Sequence, residues 1–197
     1  MLKKINNIRL VRFEPEYHSA KLYEWYYSED YQEFFRDFPD CPSAVELAKF
    51  AQGRAFIILK EKVIAGLIIY SMVNEVSRNF EVSVLVDAQF QKQSCSVDGL
   101  KIFFNWMFNA CNFYKAKIKV LAENRRVCEA LERFGASRDG GPYAVFKKDI
   151  FFRSKFHDVA VYAVFKIDFN KLYLKEIEPR LESPSNSEAS HVRIVRQ

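Results

Sequence analysis

The stretch from residue 80 to residue 121 restricts the possible folds of this chain more than any other stretch does. It opens with the apolar sequence FEVSVLV at 80–86 and closes with the alternating sequence KAKIKVL at 115–121, and both patterns are typical of strands. Apolar residues between them repeat at the i, i+3, i+4, i+7 spacing of a helix with one buried face. Those residues are Leu100, Phe103, Phe104, Met107, Phe108 and Cys111. This order predicts a β-α-β crossover, so the two strands should be parallel neighbours.

The patterns on either side of this crossover predict a mixed α/β domain in a chain of 197 residues. Further strands are predicted at residues 8–13, 55–60, 63–73, 144–152 and 157–168. Further helices are predicted at residues 17–31, 43–52 and 125–134. The 55–60 and 63–73 strands should form a hairpin, and so should the last two strands. We therefore expect one domain over residues 1–168, followed by a partly polar tail or arm over residues 169–197.

Two of the predicted helices carry recognisable end residues. Ser43 and Glu46 have the spacing of a capping box at the start of the 43–52 helix. Asn124 is the expected N-cap of the 125–134 helix. Gly135 is placed to end that helix, because glycine adopts the left-handed conformation without a steric penalty.

The composition argues against several classes of function. The net charge of +5 is small and the basic residues are scattered, so there is no strong nucleic-acid signal. The first residues lack the apolar region of a secretory signal, and no run approaches the roughly 18 apolar residues of a membrane span. The cysteines are far apart, which predicts free thiols in a reducing, cytoplasmic compartment, and we expect no metal site. They are Cys41, Cys95, Cys111 and Cys128.

Four motifs carry a resemblance to a known family. They are EVSVLV at 81–86, QKQSCS at 91–96, ENRRVCEALERFG at 123–135 and FRSKFHDVAVY at 152–162. The first two are similar to a strand E-I-G-Y-x-[IV] and a turn Q/R-x-x-G-x-G/A. The last two are similar to E-N-x-x-S-x-x-x-L-E-K-x-G and to a closing hairpin R-x-G-K-[YF]-x-D-x-x-x-Y. With these motifs, residues 8–168 resemble the GNAT superfamily of acyl-CoA-dependent N-acetyltransferases, and most of all its branch that acetylates ribosomal-protein N-termini.

The resemblance implies a fold and a cofactor. The fold is α/β (α+β), with a mixed, mostly antiparallel sheet whose central parallel strand pair is splayed to form a cofactor cleft between flanking helices. Acetyl-CoA would bind there, its pantetheine pairing with the backbone of Val82, Val84 and Val86 and hydrogen-bonding to Asn124. Its pyrophosphate would lie on backbone N–H groups at the positive end of the following helix. The residues implied for that contact are Gln91, Lys92, Gln93, Ser94, Cys95 and Ser96.

The 91–96 turn departs from the family because Ser94 and Ser96 stand where relatives have glycine, which makes it a degenerate P-loop. A serine forced to a positive φ would cost roughly 1–2 kcal/mol, and its Cβ would occupy space that the pyrophosphate needs. Against this, a serine hydroxyl can donate to a phosphate, and Lys92 or Lys101 can add positive charge. Two interpretations therefore stay open: a turn that still binds the cofactor, and a turn that kept its shape without its ligand.

The resemblance also implies catalytic positions. Glu81 stands where many relatives draw the carboxylate that removes a proton from the incoming ammonium, directly or through water. The alternative is a glutamate at a strand end that is solvated or ion-paired. Leu131 stands where many members have a tyrosine that protonates the leaving thiolate, and Cys128 beside it is expected to be a buried structural thiol.

Residues 23–38 combine aromatic and acidic side chains and leave two functions open. In an enzyme they would border the amine acceptor, with acyl-CoA as the other substrate. Alternatively they would form an interface with a protein partner or a second copy of the chain, together with the C-terminal tail. The second hypothesis is a catalytically inactive GNAT-fold component of a larger assembly, such as a virion or a multiprotein complex.

Overall fold

A computed structural model of the chain describes residues 5–35, 43–138 and 144–174. The helices are α1 (Pro15–Tyr27), α2 (Ala44–Ala51), α3 (Cys95–Asn105), α4 (Arg125–Arg133) and α5 (Lys166–Phe169). The strands are β1 (Ile8–Arg12), β2 (Ala55–Lys60), β3 (Val63–Asn74), β4 (Asn79–Val86), β5 (Lys115–Leu121), β6 (Ser137–Arg138), β7 (Ala144–Phe152) and β8 (Lys155–Phe165). Short 3-10 turns lie at Glu29–Tyr31 and Ala88–Phe90, and π-helical turns lie at Trp106–Ala110 and Asn170–Leu174.

The strands form one eight-stranded sheet in the order β1-β2-β3-β4-β5-β8-β6, with β7 on β8. Among the described strands, β4 and β5 are the parallel pair, and every other pairing is antiparallel. This confirms the predicted fold class, a mostly antiparallel mixed sheet with one central parallel pair. The β-α-β crossover of residues 80–121 and both predicted hairpins are therefore confirmed.

The side chains of the central strand β4 alternate between the two faces of the sheet, and each face carries its own half of the core. Phe80 and Val82 pack on one face of the sheet against α3, where Phe103 and Phe104 are fully buried. Leu85 packs on the other face with Trp25 of α1 and the buried residues of α2. Because neighbouring residues of a strand point to opposite faces, Glu81 and Ser83 lie on the α1 face.

The predicted capping residues of α2 and α4 are confirmed, whereas the helix predicted over residues 17–31 ends at Tyr27 and a separate 3-10 turn follows at Glu29–Tyr31. Ser43 accepts a hydrogen bond from the Glu46 amide, while the Glu46 carboxylate accepts from the Ser43 amide, which completes the capping box. Asn124 accepts from the amide of Val127 at 3.3 Å and so caps α4. Gly135 follows α4 with a φ of +83°.

The end of the last strand was predicted wrongly. The sequence pattern extends it to residue 168, but β8 ends at Phe165 and a helical segment begins at Lys166. The helical turn directs Phe169 onto Phe104 and Phe108, and Phe169 is 1% exposed. Residues 169–174 thus pack on the domain. The predicted division at residue 168 stays a prediction, because residues 175–197 lie outside the described part.

None of the described helices has the length and apolar character needed to cross a bilayer.

Candidate active site

The parallel strands β4 and β5 separate after three residue pairs. Their register runs Asn79–Lys115, Phe80–Ala116 and Glu81–Lys117 and then ends, although both strands continue. β4 stays paired with β3 as far as Val86. The backbone groups of residues 82–86 that face away from β3 therefore border an opening instead of a neighbouring strand. Ser83 is exposed in the middle of this central strand, as expected at an open cleft.

The strand predicted to bind pantetheine, residues 82–86, presents main-chain groups to the opening, while its valine side chains pack on the core. Val82 is buried in the core half under α3, and Val84 and Val86 pack partly buried against the same half. Their apolar side chains fix the orientation of the strand. The open polar groups at this position are then the main-chain N–H and C=O groups.

The 91–96 turn leads directly into α3, and the first helical amides have no partner. Among the described residues, the N–H groups of Cys95, Ser96 and Val97 donate to no acceptor of another residue. The N-cap residue Ser94 would ordinarily accept from such amides, but its side chain caps none of them. Unpartnered amides at the positive end of a helix form a site that favours an anion.

The two serines do not strain the turn. Ser94 has a φ of −74°, and Ser96 lies inside α3 without a positive φ. The steric cost considered for a positive φ is therefore absent. Residues 91–94 are exposed and Ser96 is half-buried, whereas Cys95 points into the core, where burial raises the pKa of its thiol.

The Ser94 hydroxyl is committed to a carboxylate inside its own helix. It donates to Asp98 Oδ2 at 2.6 Å, and Asn6 lies 3.4 Å from the same oxygen. Asp98 is 3% exposed, so its side chain is held in the core and does not cap the free amides. Lys101, the other basic residue considered for this turn, stacks its ammonium on the Tyr173 ring at 4.5 Å.

Arg126 is a residue of this site that the sequence interpretation missed. From the first turn of α4 its guanidinium donates to the Gln91 carbonyl at 2.8 Å and lies 3.5 Å from the Gln91 side-chain oxygen. This contact places a permanent positive charge beside the 91–96 turn, across the cleft from β4. The Arg-Arg pair directly after Asn124 was the sequence signal for it.

A buried polar cluster attaches α1 to the end of β4. Asp87 accepts from Trp25 Nε1 at 3.0 Å and forms an ion pair with Lys21 at 2.9 Å. Burial alone would raise the pKa of Asp87, but the hydrogen bonds from Lys21, Trp25 and Gln89 outweigh it and lower that pKa. The Tyr31 hydroxyl accepts from the amide of Ala88 at 2.7 Å. These contacts hold the segment that leads into the 91–96 turn.

Glu81, the predicted base, lies where the strands begin to separate, on the α1 face. Lys119 of β5 lies 3.2 Å from its carboxylate, and the Glu81 side chain is 23% exposed. The carboxylate is thus positioned by an ion pair across the cleft and stays reachable from it. Leu131 is buried in the core and carries no proton to donate, and Cys128 is a free, buried thiol.

Asn124, the N-cap of α4, also contacts the segment that follows α1. While its oxygen caps α4, its side-chain N–H donates to Glu33 at 2.9 Å. Glu33 lines a cavity of about 400 Å³ at the end of β5, which we call the acidic cavity. Its lining residues are Glu29, Asp30, Glu33, Leu121, Glu123, Phe152, Arg153, Lys155 and His157.

The aromatic and acidic segment of residues 23–38 divides between core and surface. Trp25, Tyr31 and Phe35 are buried, whereas Tyr23 and Tyr27 are exposed, with tilted rings whose centroids lie 4.6 Å apart. Residues 36–38 lie outside the described part of the chain.

Cys95, Cys111 and Cys128 are free thiols, and Cys41 lies outside the described residues. Within the described ranges no cluster of His, Cys, Asp and Glu has metal-binding geometry.

Comparisons with known proteins identify the fold family. A family model described as "Acetyltransferase (GNAT) domain" matches residues 7–137. A putative acetyltransferase from T. thermophilus has a TM-score of 0.71 at 22% identity, over 91% of this chain and 96% of its own. The spermidine N-acetyltransferase from Vibrio cholerae, solved with CoA and spermine, has a TM-score of 0.74 at 15% identity, over 83% and 98%. A ribosomal L7/L12 alpha-N-protein acetyltransferase solved with coenzyme A has a TM-score of 0.72 at 16% identity, over 83% and 97%. No curated protein matches the sequence.

Proposed function

This chain belongs to the GNAT acetyltransferase family, whose domain model spans residues 7–137, and on that premise we propose that it transfers an acetyl group from acetyl-CoA to a primary amine. One observation carries the proposal. β4 and β5 separate directly before a turn whose helix-start amides have no partner in another residue. This combination offers an extended backbone edge and an anion site within one connected stretch of chain.

The residues present fit acetyl-CoA, which supplies a thioester carbonyl to the reaction when bound. The open backbone edge of residues 82–86 matches the amide groups of pantetheine. The unpartnered N–H groups of Cys95, Ser96 and Val97 can donate to the pyrophosphate oxygens. Arg126 adds a full positive charge to the partial positive charge of the helix start. Ser94 and Ser96 keep the turn in an ordinary backbone conformation, so their presence does not remove these donors.

Glu81 is the proposed proton acceptor. An amine attacks a thioester only when it is neutral, so the ammonium must first lose a proton. Glu81 takes that proton, directly or through one water, from its position on the α1 face of the cleft. Lys119 keeps the carboxylate in place at 3.2 Å. The neutral amine would then attack the acetyl carbon in a ternary complex. The carbon–sulfur bond would break, and the leaving coenzyme A thiolate would take up the second proton that the nitrogen loses.

The proposed acceptor approaches from the α1 face. Two solved neighbours are named for acetylating a ribosomal protein N-terminus and spermidine, and both acceptors are primary amines. The motif at residues 123–135 favours the ribosomal-type branch for this chain. The Asn124–Glu33 hydrogen bond connects the proposed pantetheine site to the acidic cavity, where an amine would be held.

Calorimetric titration with acetyl-CoA tests the cofactor part of the proposal. We expect saturable binding, and weaker binding of pantetheine, which lacks the pyrophosphate. Acetyl transfer to a panel of primary amines would then be followed by thiol release. Absence of acetyl-CoA binding at millimolar concentration would overturn the proposed enzyme.

A second candidate is a GNAT-fold binding component without chemistry, and one observation favours it. The α1 tyrosines Tyr17, Tyr23 and Tyr27 are 71%, 39% and 52% exposed, so one helix presents three large aromatic side chains to solvent. This surface would contact a protein partner or a second copy, with the C-terminal tail taking part. Loss of self-association or partner binding in a Tyr23→Ser/Tyr27→Ser variant, together with no acetyl-CoA binding, would favour this candidate. The cytoplasmic location stays a prediction.

A further inference from the structure

Ser83 is an exposed residue in the middle of the central strand β4, whose other residues are all buried or half-buried. On the α1 face it lies between Glu81, which is partly exposed, and Leu85, which is 3% exposed. Its partner on β3 is Ile69, which is buried. The sheet around Ser83 is therefore covered, and the opening between β4 and β5 lies at Ser83 itself.

The register of the parallel pair places Ser83 level with Lys119. Glu81 lies opposite Lys117, and the pairing ends there. The same register continued by two residues sets Ser83 across the opening from Lys119, with both side chains on the α1 face. Glu81 reaches the same place, because its carboxylate lies 3.2 Å from Lys119. A carboxylate, an ammonium and a hydroxyl thus border one short stretch of the opening.

The Ser83 hydroxyl is available to a ligand. Within residues 5–35, 43–138 and 144–174 it has no hydrogen-bond partner. The strand motif E-I-G-Y-x-[IV], which EVSVLV at 81–86 resembles, has glycine at this position, so the strand does not need the hydroxyl in order to form. A hydroxyl can both donate and accept a hydrogen bond. It therefore adds a polar group to the side of the opening from which the acceptor is proposed to enter.

Proton removal by Glu81 creates a need that Glu81 alone does not meet. The ammonium of the acceptor is attracted to the carboxylate, but after one proton has passed to Glu81 both groups are neutral and this attraction is lost. A primary amine then still carries two N–H groups, and an uncharged acceptor can hold one of them. A serine hydroxyl meets this need, because it accepts a hydrogen bond without taking the proton.

We propose that Ser83 is a second contact of the acceptor nitrogen, and that its hydroxyl accepts one N–H of the amine whose proton passes to Glu81. The rest of the acceptor extends along β5 toward Leu121 and Glu123, which line the acidic cavity. The site consequently favours primary amines over amines with a single N–H. The inference rests on the proposed function for the fate of the amine, but the contact itself needs no cofactor.

Calorimetry with two amines of equal charge tests this contact on the full chain, both alone and saturated with coenzyme A. The ligands are 1-aminopentane, whose ammonium has three N–H groups, and N,N-dimethyl-1-aminopentane, whose ammonium has one. We expect the primary amine to bind about 10-fold more tightly, because only it can donate to Glu81 and Ser83 together. Since both ligands are monocations, long-range attraction to the protein is the same for the two.

Two variants of similar shape isolate the hydroxyl. Ser83→Thr keeps it and Ser83→Val replaces it with a methyl group, and both side chains suit a strand. The preference for the primary amine should stay near about 10-fold in Ser83→Thr and fall below about 3-fold in Ser83→Val and Ser83→Ala. Ser77→Ala, at an exposed serine of the β3–β4 turn, should leave it unchanged. All four variants should unfold cooperatively, because both positions are exposed.

The outcomes separate the Ser83 contact from the proposed function. Equal affinity of the wild type for the two amines, or the same preference in Ser83→Thr and Ser83→Val, would overturn the contact. If acetyl-CoA and coenzyme A fail to bind while the hydroxyl-dependent preference persists, the acetyl transfer is refuted and the contact holds. If acetyl transfer proceeds while the preference ignores the hydroxyl, the proposed function stands and Ser83 is only a surface residue.

Discussion

The 91–96 turn and the acidic cavity lie on either side of Asn124, and they are built from different parts of the chain. The turn offers main-chain amides at the start of α3, and its serines keep ordinary backbone angles. The cavity offers side chains, among them the carboxylates of Glu29, Asp30, Glu33 and Glu123. A site made of backbone tolerates changes of side chain that preserve the conformation, whereas a site made of side chains changes with each substitution. This difference explains why serines in place of glycines do not by themselves argue against cofactor binding.

The largest expected effect comes from removing a side chain that acts chemically. Glu81→Gln should lower the rate of acetyl transfer by about 10²–10⁴-fold, because the amide cannot accept the proton of the ammonium. Acetyl-CoA affinity should stay within about 3-fold, since Glu81 makes none of the proposed cofactor contacts. Steady-state kinetics with calorimetry checks both, with Glu75→Gln as the control. A Glu81→Gln enzyme of wild-type rate would show that another group is the base.

The next effect concerns the support of the turn. Asp87→Asn should lower the free energy of unfolding by about 2 kcal/mol, because it removes the carboxylate that accepts from Trp25 and pairs with Lys21, although Lys21 keeps its second partner Glu24 at 2.7 Å. Urea unfolding measures the change, and Glu16→Gln should alter stability by less than about 0.5 kcal/mol. If Asp87→Asn were equally mild, the cluster would not be what holds the segment before the turn.

Part of that stability should depend on pH. The pKa of Asp87 is lowered in the folded state, because its hydrogen bonds outweigh the effect of burial. Its contribution is complete above the unfolded pKa of about 4 and is lost as the pH falls through the lower folded value. Unfolding curves between about pH 6 and pH 2.5 should converge for wild type and Asp87→Asn at the acid end. Curves that stay parallel would contradict this role.

Arg126 is the charged side chain that we assign to the proposed pyrophosphate site at the 91–96 turn. Arg126→Ala should weaken acetyl-CoA binding by about 10-fold and pantetheine binding hardly at all, because only the former carries phosphates. The neighbouring Arg125→Ala serves as the matched control. An equal loss for both ligands would indicate that Arg126 shapes the cleft and does not contact phosphate.

The smallest effect tests the comparison most directly. Introducing glycine with Ser94→Gly/Ser96→Gly should change acetyl-CoA affinity by less than about 3-fold, since neither serine has a positive φ. Stability should fall by about 1 kcal/mol, because glycine is unfavourable inside α3. Calorimetry and urea unfolding measure the two quantities. A gain in affinity of 10-fold or more would show that the serine side chains obstruct the turn.

Sequence patterns predicted the fold better than the site. The crossover, both hairpins, the Ser43–Glu46 box and the Asn124 cap depend on residues close together in sequence, and all are confirmed. The predicted end of β8 was wrong because Phe169 is positioned by contacts with Phe104 and Phe108, which lie far away in sequence. Arg126 was missed for the same reason, since its contact at Gln91 lies 35 positions away.

The sequence by itself determined the order of strands and helices, the place where β4 leads into the 91–96 turn, and the family motifs. Periodicity and end residues encode these features, because they depend on hydrogen bonds and burial within a few residues. Only the tertiary structure decided that Glu33 meets Asn124 across 91 positions and that Glu29 shares a cavity with His157. Such convergence depends on where the strands separate and on how the segment after α1 packs on the β7–β8 hairpin, and neither is written in any local pattern.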